Sequence, residues 1–171
     1  MGALGRLGNG HEGDERYPRI IDFPPHENNP PWEIIGLDSG DAHSVVLSTH
    51  GAYSFGFGGS GALGHGSLDN EILPRLIQSE NTISLICCGA YHTAMLTESG
   101  SLLVCGDAES VGPMVQTESP VTGEECVLVP TLVDCYDETF SDVACGPYSV
   151  LALSNNKKVS YCHYYLEYFE N

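Results

Sequence analysis

Basic residues are scarce in this chain. Among its 171 residues only Arg6, Arg16, Arg19, Arg75, Lys157 and Lys158 are cationic, against 23 acidic ones, and the net charge is −17. Nucleic-acid binding depends on neutralising phosphates with Lys and Arg, and six scattered cations build no basic face. DNA and RNA are therefore excluded as partners, and an anionic membrane surface is disfavoured for the same reason. Long apolar runs are missing too, so no segment approaches the ~20 residues of a membrane span. Residues 1–20 carry Gly, Arg, Asp and Glu where a signal peptide would have its apolar stretch, which predicts a protein that is not secreted. The seven cysteines (Cys87, Cys88, Cys105, Cys126, Cys135, Cys145 and Cys162) are odd in number and contain no Cys-x-x-Cys pair. They are read as reduced thiols of a cytoplasmic or nuclear protein. No Gly-Lys-Ser/Thr loop occurs, so the chain shows no sign of binding GTP itself.

What the chain has is glycine, 20 residues of it, and an internal repeat. Gly5-Arg6-Leu7-Gly8-Asn9-Gly10 returns as Gly61-Ala62-Leu63-Gly64-His65-Gly66, a shift of 56. Pro18-Arg19-Ile20-Ile21 returns at the same shift as Pro74-Arg75-Leu76-Ile77. Gly40-Asp41-Ala42-His43-Ser44 returns as Gly89-Ala90-Tyr91-His92-Thr93 at 49, because the first copy carries seven extra residues in the proline-rich stretch 24–31. A third, worn copy keeps Pro130, Cys145-Gly146 and Leu153, but Ser149 replaces the histidine and the Leu-Gly-x-Gly turn is gone. Within each copy, runs such as Ile83–Cys88, His92–Thr97 and Leu102–Cys105 read as short strands ending at turn residues. Three or four short strands per repeat of about 50 residues predict propeller blades. One blade cannot bury both faces of its sheet alone, so blades must stack. The copies define one array over residues 1–160, with approximate blades 1–57, 58–107 and 108–160, and an aromatic-rich tail over 161–171.

Phe55-Gly56-Phe57-Gly58-Gly59-Ser60-Gly61-Ala62-Leu63-Gly64-His65-Gly66 and Cys88-Gly89-Ala90-Tyr91-His92-Thr93-Ala94-Met95-Leu96 together resemble the two signatures of the regulator of chromosome condensation repeat family. The resemblance runs over roughly residues 2–160. It implies an all-β fold: propeller blades of short antiparallel strands, about three blades of a seven-bladed ring, incomplete or open. It also implies partners such as small GTPases, tubulin-related factors or ubiquitin-ligase machinery. Departures are visible. The glutamine of the turn is Arg6 in one copy and Ala62 in the other, and Cys105 and Cys162 stand where the family has tryptophan.

Two other motifs are weighed and set aside. Gly56-x-Gly58-x-x-Gly61 matches a dinucleotide fingerprint as a string, but the glycines that follow do not open the helix such a site needs. Gly58-Gly59-Ser60-Gly61-Ala62 nearly matches a nucleophile elbow without its last glycine or assignable partners. No acid/base pair converges, so the expectation is a non-enzyme with no cofactor and no metal. The structural repeat positions are Gly5, Leu7, Gly8, Gly10, Gly40, His43, Gly61, Leu63, Gly64, Gly66, Cys88, Gly89, His92, Cys145 and Gly146. The two histidines are expected to bond turn backbone, and Cys88 and Cys145 to be core. Gly51 lies five residues before Gly56 whereas Gly100 lies six before Gly106, which predicts an irregular turn at Thr49-His50-Gly51.

Function then falls to loops on a rigid scaffold. The proline-stiffened loop ends in Trp32 and Glu33, and a second long loop, Asp107–Glu125, carries Asp107, Glu109, Glu118, Glu124 and Glu125. Trp32, Glu33, Asp107 and Glu109 are the candidate partner-binding residues. The reading is a protein–protein interaction scaffold for a small GTPase or a basic protein surface, with self-association through open blade faces. The rivals are a guanine-nucleotide exchange factor or regulator for a small GTPase, and a truncated fragment without independent function.

Overall fold

The computed structural model describes residues 2–24, 33–111, 126–133, 135 and 138–163. It is built of three antiparallel sheets. Strands β1 (Ile34–Ser39), β2 (His43–Ser48), β3 (Gly51–Gly56) and β4 (Glu71–Leu76) form the first, in that spatial order. Strands β5 (Ile83–Cys88), β6 (His92–Thr97), β7 (Leu102–Asp107) and β8 (Cys126–Leu132) repeat the arrangement. Strands β9 (Phe140–Gly146), β10 (Ser149–Ser154) and β11 (Val159–His163) form the third, which has no fourth strand among the described residues. A four-residue helix, α1 (Ala108–Val111), follows β7. The expected all-β blades of short antiparallel strands are thus the observed fold.

The first two sheets each straddle two of the sequence copies 1–57, 58–107 and 108–160. β1 to β3 come from the first copy and β4 from the second; β5 to β7 come from the second and β8 from the third. The Leu-Gly-x-Gly turn explains this stagger. It docks on the outer strand of a sheet, with Gly10 N–H donating to Ile72 O and Gly66 N–H to Leu128 O, both at 2.9 Å. Gly61 sits at φ +78°, and a Cβ there would lie 2.9 Å from Val127 O, so turn and strand can meet only at glycine.

The core lies between the sheets. Val45 and Leu47 of the first, Ala94 and Met95 of the second, and Val150 and Ala152 of the third belong to one buried cluster. All six residues of β6 are buried, because its sheet is covered on both faces. By contrast, β10 alternates: Val150, Ala152 and Ser154 are buried while Leu151 is 45% exposed. The third sheet therefore covers the second and leaves its own far face open.

The missing residue before Gly56 is absorbed in a turn. Leu47 pairs with Ala52 across four residues and Leu96 with Leu102 across five, yet His43 still meets Gly56 as His92 meets Gly106. The Ser48 hydroxyl closes the shorter turn by donating to Gly51 O and accepting from His50 N–H. Strand faces are preserved because the deletion never enters a strand.

One sequence expectation fails outright. Cys87 and Cys145 form a disulfide, so the cysteines are not all reduced thiols. Cys87 lies near the end of β5 and Cys145 near the end of β9, on sheets that pack together, with Cα atoms 5.7 Å apart. The separation of 58 residues is one more than the local repeat of 57, so the pair is offset by one position between copies and shows no motif spacing. Cys145 is consequently half-buried rather than fully core, whereas Cys88 and Cys105 are buried thiols. Burial pushes the Cys105 thiol up to about 12 and the Cys88 thiol also upward, with Asp38 adding to the latter.

Candidate interaction face at the blade turns

The turns β1–β2, β5–β6 and β9–β10 occupy one end of the array, at equivalent positions Gly40-Asp41-Ala42, Gly89-Ala90-Tyr91 and Gly146-Pro147-Tyr148. They are tied to one another through the backbone. Asp41 N–H donates to Ala90 O at 3.3 Å, and Ala90 N–H donates to Pro147 O at 2.9 Å. Pro147 has no N–H and cannot extend the ladder. At the other end, Arg6 Nη1 donates to Asp41 O at 2.9 Å. The turns are thus held at fixed spacing on the stacked sheets.

Behind each turn lies a histidine. Gly89 leaves room for the His92 ring, which a Cβ would overlap, and Gly40 does the same for His43. His43 departs from the expectation that these rings bond turn backbone. His43 Nε2 lies 3.0 Å from Thr93 Oγ1 on the next sheet, and that hydroxyl donates to Ala62 O at 2.8 Å. The donor order makes His43 an Nε2–H tautomer. At the next junction Val150 replaces Thr93, and both nitrogens of the buried His92 ring lack a hydrogen-bond partner. Burial pulls the His43 pKa down to about 4, with His92 acting in the same direction and Asp38 and Asp41 against it. Burial lowers that of His92 too, opposed by the Ser149 backbone and Asp107. Both imidazoles are neutral at pH 7, as unprotonated structural groups.

Asp38 is the pin that sequence reasoning passed over. Its carboxylate accepts Cys88 N–H at 2.8 Å from the neighbouring sheet and Ser39 N–H at 2.9 Å from its own. The equivalent positions in later copies are Cys87 and Ala144, so no shared residue type flags it.

In front of this frame the surface is aromatic and acidic. Tyr91 is 37% and Tyr148 57% exposed, at equivalent positions on successive turns. The Phe57 ring meets Tyr91 edge-on at 6.4 Å. Phe57 N–H donates to Ala42 O and Asp107 N–H to Tyr91 O, so the exits of β3 and β7 are fastened to these turns in the same way. Asp41 and Glu109 are exposed beside them, while the Asp107 carboxylate accepts the Ser110 hydroxyl at 2.8 Å. Two of the four candidate residues, Asp107 and Glu109, therefore lie on this face. Glu33 does not: its carbonyl accepts Thr49 N–H at the far end of β1, a strand length of about 20 Å away. Trp32, Glu118, Glu124 and Glu125 lie outside the described residues. Among the described residues no group of three or more His, Cys, Asp or Glu is arranged to hold a metal ion.

Comparison with known proteins follows this geometry. The family model described as Regulator of chromosome condensation (RCC1) repeat matches residues 50–96, and a second of the same description matches residues 83–110. Residues 50–110 of the chain thus match RCC1 repeats. It is 33% identical over 160 residues to the RCC1 domain-containing protein RUG3, mitochondrial, of Arabidopsis thaliana, covering 90% of this chain and 34% of that protein. It is 35% identical over 98 residues to the human X-linked retinitis pigmentosa GTPase regulator, covering 56% of this chain and 9% of that protein. The chain thus spans about a third of RUG3 and less of the regulator. Among solved structures, human WBSCR16 superposes with a TM-score of 0.75 at 19% identity, over 93% of this chain and 40% of that one. Prp20p of Saccharomyces cerevisiae, in a structure reported with its binding to Gsp1p and histones, gives 0.61 at 21% identity, over 75% of this chain and 32% of that one. Both likenesses concern the fold.

Proposed function

We propose that this RCC1-repeat array is a protein-interaction scaffold whose turn face, built around Tyr91, Tyr148, Phe57, Asp41, Asp107 and Glu109, receives a basic surface of a protein partner. The observation that carries the reading is the pair of exposed tyrosines on turns fixed by the Asp41–Ala90–Pro147 backbone ladder. Rigid tyrosines lose little entropy on binding and are over-represented among hot spots. Carboxylates beside aromatic faces suit Arg and Lys, through ion pairs and cation–π contacts. A net charge of −17 attracts basic partners at long range. Relatives named as a GTPase regulator and a neighbour reported with histone binding support a protein partner of this kind. Regulation of a small GTPase is the second reading, favoured by the GTPase-regulator relative.

The test is fluorescence anisotropy of labelled basic histone-tail peptides and of purified small GTPases against the chain. Tyr91→Ala with Tyr148→Ala should weaken binding about fivefold or more per residue, the effect of a hot spot above 1 kcal/mol. Asp107→Asn with Glu109→Gln should lower the association rate and its salt dependence. Binding that survives these changes, and is lost instead on Glu80→Gln with Glu98→Gln in the groove at the opposite end of the first junction, would move the site there.

A further inference from the structure

Repeat register exposes an imbalance between the two ends of the array. In the first two sheets the outer strand carries Pro74-Arg75-Leu76-Ile77 and Pro130-Thr131-Leu132-Val133. The same element occurs once more, as Pro18-Arg19-Ile20-Ile21, and there it pairs with no strand. It nevertheless retains the local signature of an outer strand. Arg19 bonds Glu15 at 2.8 Å, as Arg75 bonds Glu71 at 2.6 Å, both four residues apart. Ile21 is only half-buried, whereas its equivalents Ile77 and Val133 are 4% and 5% exposed, and Ile20 is 93% exposed against 59% for its equivalent Leu132. The third sheet shows the converse. β11 pairs only with β10, and its outer edge carries no strand among the described residues. Among the described residues, the segment 15–21 pairs with no sheet and the third sheet has no outer strand.

We propose that residues 15–21 of one copy complete the third sheet of a second copy, adding a strand along β11 in a head-to-tail association. Register follows from the two complete sheets. Tyr53 pairs with Leu76 and Leu103 with Leu132, and Ala152 pairs with Ser160 as Met95 does with Leu103. Ile20 therefore lies opposite Ser160 and Arg19 opposite Tyr161. Ile77 N–H donates to Ala52 O and Val133 N–H to Leu102 O at 2.9 Å, so Ile21 N–H donates to Val159 O. Strand addition gives affinity through such main-chain bonds.

A second observation fits the same partner. Added this way, the third sheet of one copy sits before the first sheet of the other. The turn ladder at that junction would run from Pro147 to Asp41. Pro147 has no N–H to donate, and Asp41 O already accepts from Arg6. Neither end is left with an orphaned group. The surfaces brought near each other are apolar: Leu151 on the third sheet, and Ile34, Ile35 and Leu37 on β1, the last 77% exposed. Such an interface is heterologous, so it can close as a ring or extend. The net charge of −17 on each copy opposes it, and salt should favour it. This association uses a strand edge and is independent of the turn face proposed for the partner.

The experiment is disulfide trapping in the full chain. Ile20→Cys and Ser160→Cys are made singly and together, with Ile20→Cys plus Lys158→Cys as the out-of-register control and the unaltered chain as background. Mixing the two single variants under mild oxidation should give a covalent dimer on a non-reducing gel, and the double variant a ladder of multimers, both well above the control. Sedimentation should show an association that strengthens between 0.05 and 0.5 M salt, as flagged by a Debye length falling from roughly 14 to 4 Å. Ile21→Pro, in a segment outside any strand, should weaken that association roughly tenfold without altering the fold. An intrachain disulfide in a monomeric double variant, trapping no better than the control, or a monomer at every concentration and salt would each overturn the proposal.

Discussion

Removing the Cys87–Cys145 bond should loosen one junction and leave the other intact. The bond joins the second sheet to the third and closes a loop of 58 residues. Restricting such a loop in the unfolded chain is worth about 4 kcal/mol by the chain-entropy relation. The remaining described backbone ties at that junction are few. Ala90 N–H reaches Pro147 O and Phe140 N–H reaches Gly100 O, while His92 has no partner. The first junction has the His43–Thr93 contact, the Asp38 pin and the Asp41–Ala90 bond. Urea unfolding of the unaltered chain, Cys87→Ser and Cys87→Ser with Cys145→Ser should show midpoints lowered in both variants. Reductant should lower the unaltered chain to the level of the variants and leave the variants unmoved. Hydrogen exchange should quicken in β9–β11 on reduction while β2, β3, β6 and β7 remain protected. Blocking of every cysteine by alkylation without reductant would refute the reasoning. So would uniform loss of protection across all three sheets.

Thr93→Val makes the first junction resemble the second, leaving His43 unpaired, and should cost about 1–3 kcal/mol in urea unfolding. Val150→Thr offers His92 the missing hydroxyl and should gain about 1 kcal/mol, read in the same assay. His43 titrates near 4 in the fold and near 6.5 unfolded, so the unfolded chain binds the proton first as pH falls. Its contribution is therefore complete above pH 6.5 and falls by about 3 kcal/mol on the way to pH 4, and the urea midpoint of His43→Gln should vary less with pH over that interval. Gly106→Ala puts a Cβ 2.5 Å from Tyr91 O at φ +123° and should destabilise by about 3 kcal/mol, seen as a lowered thermal midpoint.

Much of the blade architecture was legible because propeller strands leave local marks. Ile83–Cys88 and His92–Thr97 were bounded by Gly and polar turn residues, and the structure has β5 and β6 at those limits. The Leu-Gly-x-Gly turns announced the stagger between copy and sheet only indirectly, since docking on a neighbouring outer strand is a tertiary event. Contacts between copies were less visible. Cys87 faces Cys145 and His43 faces Thr93 because sheets stack with an offset, and no spacing within one copy encodes that offset. Of the proposed face, the acids Asp107 and Glu109 stand out in the sequence by loop length and charge. Tyr91 and Tyr148 were passed over, although their equivalence at a shift of 57 was readable. Their exposure was not, because a turn aromatic can cap a core or face solvent with the same sequence.

The two junctions use one position for two kinds of bond, and this links stability to assembly. At the first, Asp38 accepts the N–H of Cys88; at the second, the equivalent residue Cys87 bonds Cys145, the equivalent of Cys88. A hydrogen-bonded pin at one blade boundary is thus replaced by a covalent one at the next. The replacement falls where the histidine relay is broken by Val150 and where the third sheet, among the described residues, has an open face and edge. An end sheet packed on one side buries less apolar surface than a sheet between two neighbours, and of the two end sheets the third has the fewer described ties to the second. The disulfide restores that docking without filling the open face. Holding β9–β11 in place also fixes Tyr148 relative to Tyr91, and keeps the β11 edge aligned for a strand from another copy. Reduction would then reach the tyrosine face and the strand edge together, through the one sheet they share.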